Sequence, residues 1–210
     1  MTGILAIWND RAAAAAADYE RWYMGEHIPE RLSVPGFRAA RRYEAIAADR
    51  PFFTFYEVAG PEVLASPAYR ARLNDPTPAT QAMMPQFRAM VRSAMIERLR
   101  EGRGVGGAAV TVRYAAGASV PGDLPRAAMA AIEAAEITTA RLWHAAPANA
   151  PTDTVEGRMR HGPDELAAGA VVIETARAAA AERLAAALEN DASASGAIVG
   201  CYRLMYVCGA

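Results

Sequence analysis

The pattern of apolar and polar positions along the chain predicts an alternation of strands and helices. Residues 3–8 are apolar at nearly every position, which is typical of a strand buried on both faces. Residues 12–32 place aromatic and aliphatic side chains along one broad helical face and stop before a Pro-Gly turn, which predicts a helix. Residues 37–47 alternate and residues 52–58 are rich in aromatic side chains, so both are predicted strands.

The next segments predict a second helix and a closing strand. Residues 61–73 are predicted to be helical with a kink at Ser66–Pro67, and residues 74–85 are expected to form short turns because they contain three prolines. Residues 90–99 have mediocre strand propensity. We nevertheless predict a strand there, because it completes the order strand, helix, strand, strand, helix, strand.

The same order is predicted again after a glycine-rich join at residues 102–107. The predicted elements of this second half are strands at 108–115, 137–145, 170–175 and 197–208 and helices at 124–135 and 177–189. The join therefore divides the chain into a first half, residues 1–103, and a second half, residues 104–210. The halves differ most at residues 147–168, which form either a lid or a mobile surface loop, and the polar composition favours the loop.

The element order predicts an α+β fold. Strand, helix, strand, strand, helix, strand is the ferredoxin-like βαββαβ order, with both helices on one face of an antiparallel sheet. The other face of the first sheet would be apolar and needs a cover. We therefore expect two tandem ferredoxin-like repeats whose antiparallel sheets pack into an α/β barrel. The sequence leaves open whether the halves pair within one chain or between the chains of a homodimer.

Composition and charge exclude several functions. The 210 residues are 53% hydrophobic and carry a net charge of −1, so we expect no attraction for nucleic acid. The longest apolar runs are too short to span a membrane, and no secretory signal is recognisable, so a cytoplasmic location is expected. All 22 basic residues are arginine, which excludes Schiff-base chemistry on a lysine. Cys201 and Cys208 are too far apart on one predicted strand to pair within it, and free thiols fit a reducing compartment.

A motif in the first half carries a family resemblance. It reads WYMGEHIPER at 22–31, VPGF at 34–37 and RRY at 41–43. It resembles the dimeric α/β barrel superfamily, particularly its EthD-like and stress-responsive barrel branches, over about residues 1–100. The resemblance implies a small-molecule ligand, because the superfamily includes monooxygenases, isomerases, decarboxylases and haem-handling proteins. The second half lacks this motif, so we expect one degenerate half and one site, in the first half.

Pro29 predicts a distortion of the first helix next to a histidine. Proline cannot donate a backbone hydrogen bond, and its ring clashes with the carbonyl of Gly25 in a regular α-helix. The resulting kink at His27 would turn the imidazole toward the sheet and into a cleft. His27 is therefore a candidate general acid or base. The alternative is a buried, hydrogen-bonded structural histidine that stabilises the kink.

Three further residues are candidates for binding an oxygen-bearing substrate. Tyr23 lies one turn before His27, and Arg41 and Tyr43 follow on the next strand. Arg41 and Arg42 are neighbours on a strand and face opposite ways, so only one can enter the cavity, and a solvated arginine is the commoner outcome for each.

The resemblance and the His27 helix favour a cofactor-independent enzyme. Its chemistry would be proton transfer leading to decarboxylation, isomerisation or oxygenation of an aromatic or polyketide-like substrate. The alternative is a non-catalytic small-molecule-binding or stress-related protein. Haem is a third option, disfavoured because no second axial ligand is apparent. No metal site is expected, since His144 and His161 have no partner ligand at a recognisable spacing. Arginines between residues 88 and 103 are expected to form a solvated face.

Overall fold

Eight strands form the framework of the protein. The computed structural model describes residues 1–124, 128, 130 and 137–209, with the backbone alone for residues 190–195. The strands are β1 (Gly3–Arg11), β2 (Phe37–Ala47), β3 (Phe52–Val58), β4 (Phe87–Gly102), β5 (Ala108–Ala115), β6 (Ile137–Ala145), β7 (Ala167–Thr175) and β8 (Ile198–Gly209). Each lies where the sequence predicts a strand. The predicted strand at 90–99 is confirmed as the central part of β4, which is longer than expected.

The eight strands close into one antiparallel barrel. Their order around the barrel is β1-β3-β2-β8-β5-β7-β6-β4, and β4 pairs with β1 to complete it. The pairs β2–β8 and β4–β6 connect the strands before the glycine-rich join with those after it. The barrel therefore closes within a single chain, and no sheet edge between the two halves is left unpaired.

Helices cover the outside of the barrel. They are α1 (Ala16–Trp22), α2 (Ile28–Leu32), α3 (Pro67–Asn74), α4 (Pro78–Met83), α5 (Val155–Met159) and α6 (Ala178–Ser195). The predicted kink at Ser66–Pro67 is a complete break, because Ser66 leaves the helical conformation and its hydroxyl caps α3 at the Tyr69 amide. The prediction of turns alone over 74–85 was wrong, since Thr77 caps α4 there. The helix predicted at 124–135 lies mostly outside the described residues.

The barrel interior is packed with side chains. Its middle is aromatic, and the rings of Trp8 and Phe53 stack with centroids 4.9 Å apart. Near one end lies a group of buried arginine and glutamate side chains, which includes Arg41, Arg141 and Glu174. The space inside the barrel is therefore a structural core.

A second apolar layer lies between the first four strands and the helices α1–α4. It contains Leu5, Tyr19, Tyr56 and Phe87, all at most 3% exposed. A corresponding layer between α6 and the strands β5 and β8 has apolar buried members among the described residues.

Residues 147–166, here called the insertion, pack against the first half. Asn149 accepts a hydrogen bond from the Ala94 amide at 2.7 Å, and Glu165 exchanges backbone hydrogen bonds with β4. Ala150 is 3% exposed and packs in the apolar layer between the first four strands and the helices α1–α4. The sequence favoured a mobile loop, but these contacts tie the insertion to β4.

Among the described residues, no helix is both long and apolar enough to cross a membrane.

Candidate functional site

A single π-helical turn, Tyr23–His27, connects α1 to α2. The Ile28 amide donates to the Tyr23 carbonyl, five residues back, where a regular helix would bond four residues back. Pro29 follows directly and has no amide proton to donate. The distortion predicted at His27 is therefore present, as a widened turn. Such turns occur often at functional sites, because they change the direction of the side chains that they carry.

His27 lies in an aromatic environment and stays neutral. Its ring centroid is 4.5 Å from that of Trp22 and 5.0 Å from that of Tyr23, and the side chain is only 6% exposed. Burial and the nearby positive charges, in particular Arg31, lower the pKa of His27 well below its usual value. Its Nδ1 atom is buried and has no hydrogen-bond partner among the described residues. The imidazole is therefore a neutral group with a nitrogen free to bond a ligand.

His27 and Tyr23 line a cavity between the sheet and the helices. Its volume is about 30 Å³, enough for about two water molecules. The lining residues come from β1, β3, β4, the helices and the insertion: Leu5, Ile7, Tyr23, His27, Arg31, Tyr56, Tyr69, Leu73, Met84, Phe87, Met90, Arg92, Glu156 and Arg160. The structure therefore brings two of the four predicted site residues to one cavity.

Several buried polar atoms of the cavity residues have no hydrogen-bond partner in the described part of the chain. They are Tyr23 Oη, Tyr56 Oη, His27 Nδ1, Arg31 Nη1 and Arg92 Nη1. Buried polar groups are normally paired, and leaving one unpaired is costly. A concentration of such atoms around one cavity indicates a site for an oxygen-bearing ligand, because hydroxyl and guanidinium groups donate to oxygen.

The arginines at the cavity are held by carboxylates and a hydroxyl. Arg31 pairs with Glu156 of the insertion, and both side chains are 2% exposed. Arg160, also from the insertion, makes two bonds to Asp164 at 2.9 and 2.8 Å. Arg92 donates to the Tyr69 hydroxyl at 3.0 Å. The cavity wall is therefore rich in positive charge.

Arg41 and Tyr43 do not line this cavity, because they lie on the face of β2 that points away from the helices. Both point into the barrel, where Arg41 pairs with Glu174 and Tyr43 donates to the same carboxylate at 2.8 Å. Arg42 faces the helices, where it pairs with Glu20 at 2.9 Å and stacks over the Tyr23 ring at 3.8 Å. The expectation of a solvated arginine was wrong for both Arg41 and Arg42, since each finds a buried carboxylate or aromatic partner.

Sequence reasoning missed five polar residues of the cavity wall, Tyr56, Tyr69, Arg92, Glu156 and Arg160. Arg92 was assigned to a solvated face, yet it is 4% exposed. The sequence did contain a signal that Arg92 is buried. Residues 90 and 94 are apolar and lie two positions to either side of Arg92 on β4, so all three share one face of the strand. The insertion residues carried no such signal, since their place depends on contacts across the fold.

Comparisons with known proteins support the fold. No family model matches the chain, and no curated protein sequence matches it. A solved structure described as an anthrone oxidase-like protein is 9% identical and superposes with a TM-score of 0.56, covering 99% of this chain and 92% of its own. A candidate monooxygenase from Fusobacterium nucleatum subsp. nucleatum is 8% identical, with a TM-score of 0.52 and coverage of 99% and 94%. A candidate chlorite dismutase is 14% identical, with a TM-score of 0.51 and coverage of 98% and 95%.

The chain shares the α+β barrel fold of these proteins. At this level of identity the likeness concerns the fold alone, and the EthD-like branch suggested by the motif at 22–31 stays a prediction.

The cavity residues do not fit a haem group. A haem iron bound to His27 would place the whole macrocycle in the layer beside it, which the buried rings of Tyr23, Tyr56 and Phe87 occupy. The volume of about 30 Å³ is far smaller than a macrocycle requires. A substrate differs from haem in this respect, because only its reacting end has to reach His27.

Proposed function

We propose that the protein is a cofactor-independent enzyme that removes a proton from a small aromatic or polyketide-like molecule. The observation that carries this proposal is the buried, neutral His27, which lines a cavity rich in hydrogen-bond donors and whose Nδ1 has no partner among the described residues. A neutral imidazole can accept a proton, and although burial and the nearby arginines make His27 a weaker base, the substrate anion that forms beside it offsets the charge of the imidazolium.

Each polar group of the cavity has a role in this proton transfer. With its own proton on Nε2, His27 accepts the substrate proton at Nδ1 and becomes an imidazolium. The electron pair stays on the substrate as an enolate or phenolate. The hydroxyls of Tyr23 and Tyr56 and the Nη1 of Arg31 donate to the oxygen that gains this charge. Tyr23 thus keeps the role that the sequence assigned to it, and Tyr56 and Arg31 take the role assigned to Arg41 and Tyr43.

The fate of the anion depends on the substrate. An enolate or phenolate can be reprotonated at another carbon, which is isomerisation. It can also arise by loss of carbon dioxide, or transfer its electrons to molecular oxygen, which is oxygenation. Similarity in fold to an anthrone oxidase-like protein and a candidate monooxygenase suggests anthrones as the first compounds to test.

A ring-sized substrate needs more room than the cavity gives. A second cavity of about 310 Å³ lies on the insertion, and Arg160 belongs to the walls of both. We assign the acidic end of the substrate to the His27 cavity and the remainder to this second cavity, here called the vestibule. Their combined volume is in the range of small-molecule sites.

Exchange of substrate protons with deuterated solvent tests the proposal. Anthrone and a 1,3-diketone would be incubated with the protein in D₂O, and the loss of the acidic C–H signal followed by NMR. We expect exchange with the wild type and a loss of 10²-fold or more in His27→Gln. His161→Gln is the matched control, because His161 is exposed and lies outside the cavity wall.

Two results would contradict proton transfer. Equal exchange by wild type and His27→Gln would remove His27 from the chemistry. Binding of the compounds without exchange would favour the alternative, a small-molecule-binding protein without activity.

A second proposal concerns how the barrel is built from the two halves of the chain. We infer that residues 1–103 and 104–210 are two tandem ferredoxin-like repeats. Around the barrel, the strands before the join follow the order β2-β3-β1-β4 and those after it follow β6-β7-β5-β8, which is the same order twice. The first repeat carries Tyr23 and His27, and the second, which lacks their motif, contributes Glu156 and Arg160 of the insertion to the same cavity.

A further inference from the structure

The charges at the His27 cavity do not balance. Three arginines belong to its wall, namely Arg31, Arg92 and Arg160. Arg31 is neutralised by Glu156, and Arg160 binds both oxygens of Asp164. With His27 neutral, the third arginine has no carboxylate of its own.

Arg92 is that third arginine. It is 4% exposed, and its one ion-pair contact among the described residues is a distant one, with Nη1 4.0 Å from Asp164 Oδ2. The same Oδ2 already accepts from Arg160 at 2.8 Å. The Nη1 atom of Arg92 has no hydrogen-bond partner within the described chain, although Nη2 donates to Tyr69.

Other arginines near the cavity each have a carboxylate partner. Arg42 pairs with Glu20 at 2.9 Å, and Arg72 pairs with Glu30 at 3.6 Å. A buried charge without a partner is destabilising, because it has lost its hydration and gained no counter-charge. The surplus at Arg92 is therefore one positive charge at one buried place.

We propose that the cavity binds a ligand with a single carboxylate group, which accepts hydrogen bonds from Arg92 Nη1. A guanidinium matches a planar carboxylate, and one negative charge restores the balance. The cavity of about 30 Å³ takes the end of the ligand that carries the carboxylate and the acidic carbon beside it, and the remainder of the ligand lies in the vestibule, which shares Arg160 with the cavity. The carboxylate subsite rests on the proposed function, because it defines the charge of the substrate that His27 deprotonates.

Calorimetric titration of the full chain at pH 7 and constant ionic strength tests the subsite. The probes are benzoate, benzamide and nitrate. Benzamide has the shape of benzoate without its charge, and nitrate is a planar inorganic anion without a ring. We expect benzoate to bind at least tenfold more tightly than either of the others. Equal binding of benzoate and benzamide would overturn the proposal, and nitrate binding as tight as benzoate would overturn the assignment to a substrate carboxylate.

Variants locate the binding. We expect Arg92→Met to weaken benzoate binding at least tenfold and to fold without the ligand, because it removes an unbalanced buried charge. Arg158→Gln is the matched control, since Arg158 lies on α5 but is exposed, and its benzoate affinity should equal that of the wild type. Undiminished affinity in Arg92→Met would overturn the role of Arg92. If Arg92→Met fails to fold, Arg92→Lys, which keeps the charge but loses the planar fork, should bind benzoate more weakly than the wild type.

Benzoate binding involves no proton transfer, so it fails or succeeds independently of the exchange assay. A wild type that exchanges substrate protons but does not prefer benzoate would overturn the subsite and leave the proposed enzyme intact. A wild type that binds benzoate through Arg92 and exchanges no proton of anthrone, of the 1,3-diketone or of an anthrone that carries a carboxyl group would support the subsite as a binding site and contradict the proposed enzyme.

Discussion

Glu156 connects the insertion to the helix that follows His27, and its replacement by glutamine should destabilise the protein strongly. Both Glu156 carboxylate oxygens lie 2.5 Å from Nη2 of Arg31, which lies 125 residues away in the chain. Both side chains are 2% exposed, so solvent hardly screens the pair. Glutamine has nearly the same size, and the substitution therefore removes the charge while it keeps most of the packing.

The magnitude follows from the burial of the remaining charge. Breaking a buried ion pair from one side costs about 3–5 kcal/mol, because the other charge stays buried without a partner. Glutamine can still accept one hydrogen bond from Arg31, so we expect a loss of about 3 kcal/mol. For a chain of this size, that corresponds to a decrease of about 6–12 °C in Tm.

Urea denaturation at neutral pH measures this loss as a lower midpoint at an unchanged slope. Asp153→Asn is the matched control, because Asp153 belongs to the insertion and pairs with Arg70, but both side chains are largely exposed. We expect no measurable change in its midpoint, since exposed pairs contribute little. The double variant Arg31→Met, Glu156→Leu should recover most of the stability, because it removes both charges together. Equal midpoints for Glu156→Gln and Asp153→Asn would refute the reasoning.

Two further predictions concern His27 and the glycines of the first half. The folded protein holds the pKa of His27 well below its usual value, so the unfolded chain binds one more proton as the pH falls below about 6.5, and stability should decrease there by up to about 1.4 kcal/mol per pH unit. Between pH 8 and pH 5, the urea midpoint of His27→Gln should decrease less than that of the wild type, because the variant lacks this histidine. A pH dependence identical to that of the wild type would contradict the prediction. Gly36 has φ +96°, and a Cβ there would lie 2.7 Å from Val63 Cγ2, so Gly36→Ala should lower stability by at least about 1 kcal/mol. Gly25→Ala meets nothing within 4 Å and should raise stability by about 0.5–1 kcal/mol, and thermal unfolding of the two variants should therefore shift in opposite directions.

The candidate site was predictable in part. The pair Tyr23 and His27 followed from spacing on one helix, and Pro29 predicted the distortion, because all three effects are local to a few residues of backbone. Arg41 and Tyr43 do not line the His27 cavity, for a different reason. A strand has two buried faces in this fold, one toward the barrel and one toward the helices, and alternation alone does not say which face meets the cavity.

The sequence by itself determined the strands, their order and the helix that carries His27. These features depend on periodicity, proline and glycine, whose effects act between near neighbours. Only the tertiary structure decided that the barrel closes within one chain and that the insertion packs over the first half. It also decided that Glu156 and Arg160 join Arg31 and Arg92 at one cavity, because such contacts bring together residues more than 60 positions apart, and no local pattern encodes which distant carboxylate a buried arginine will meet.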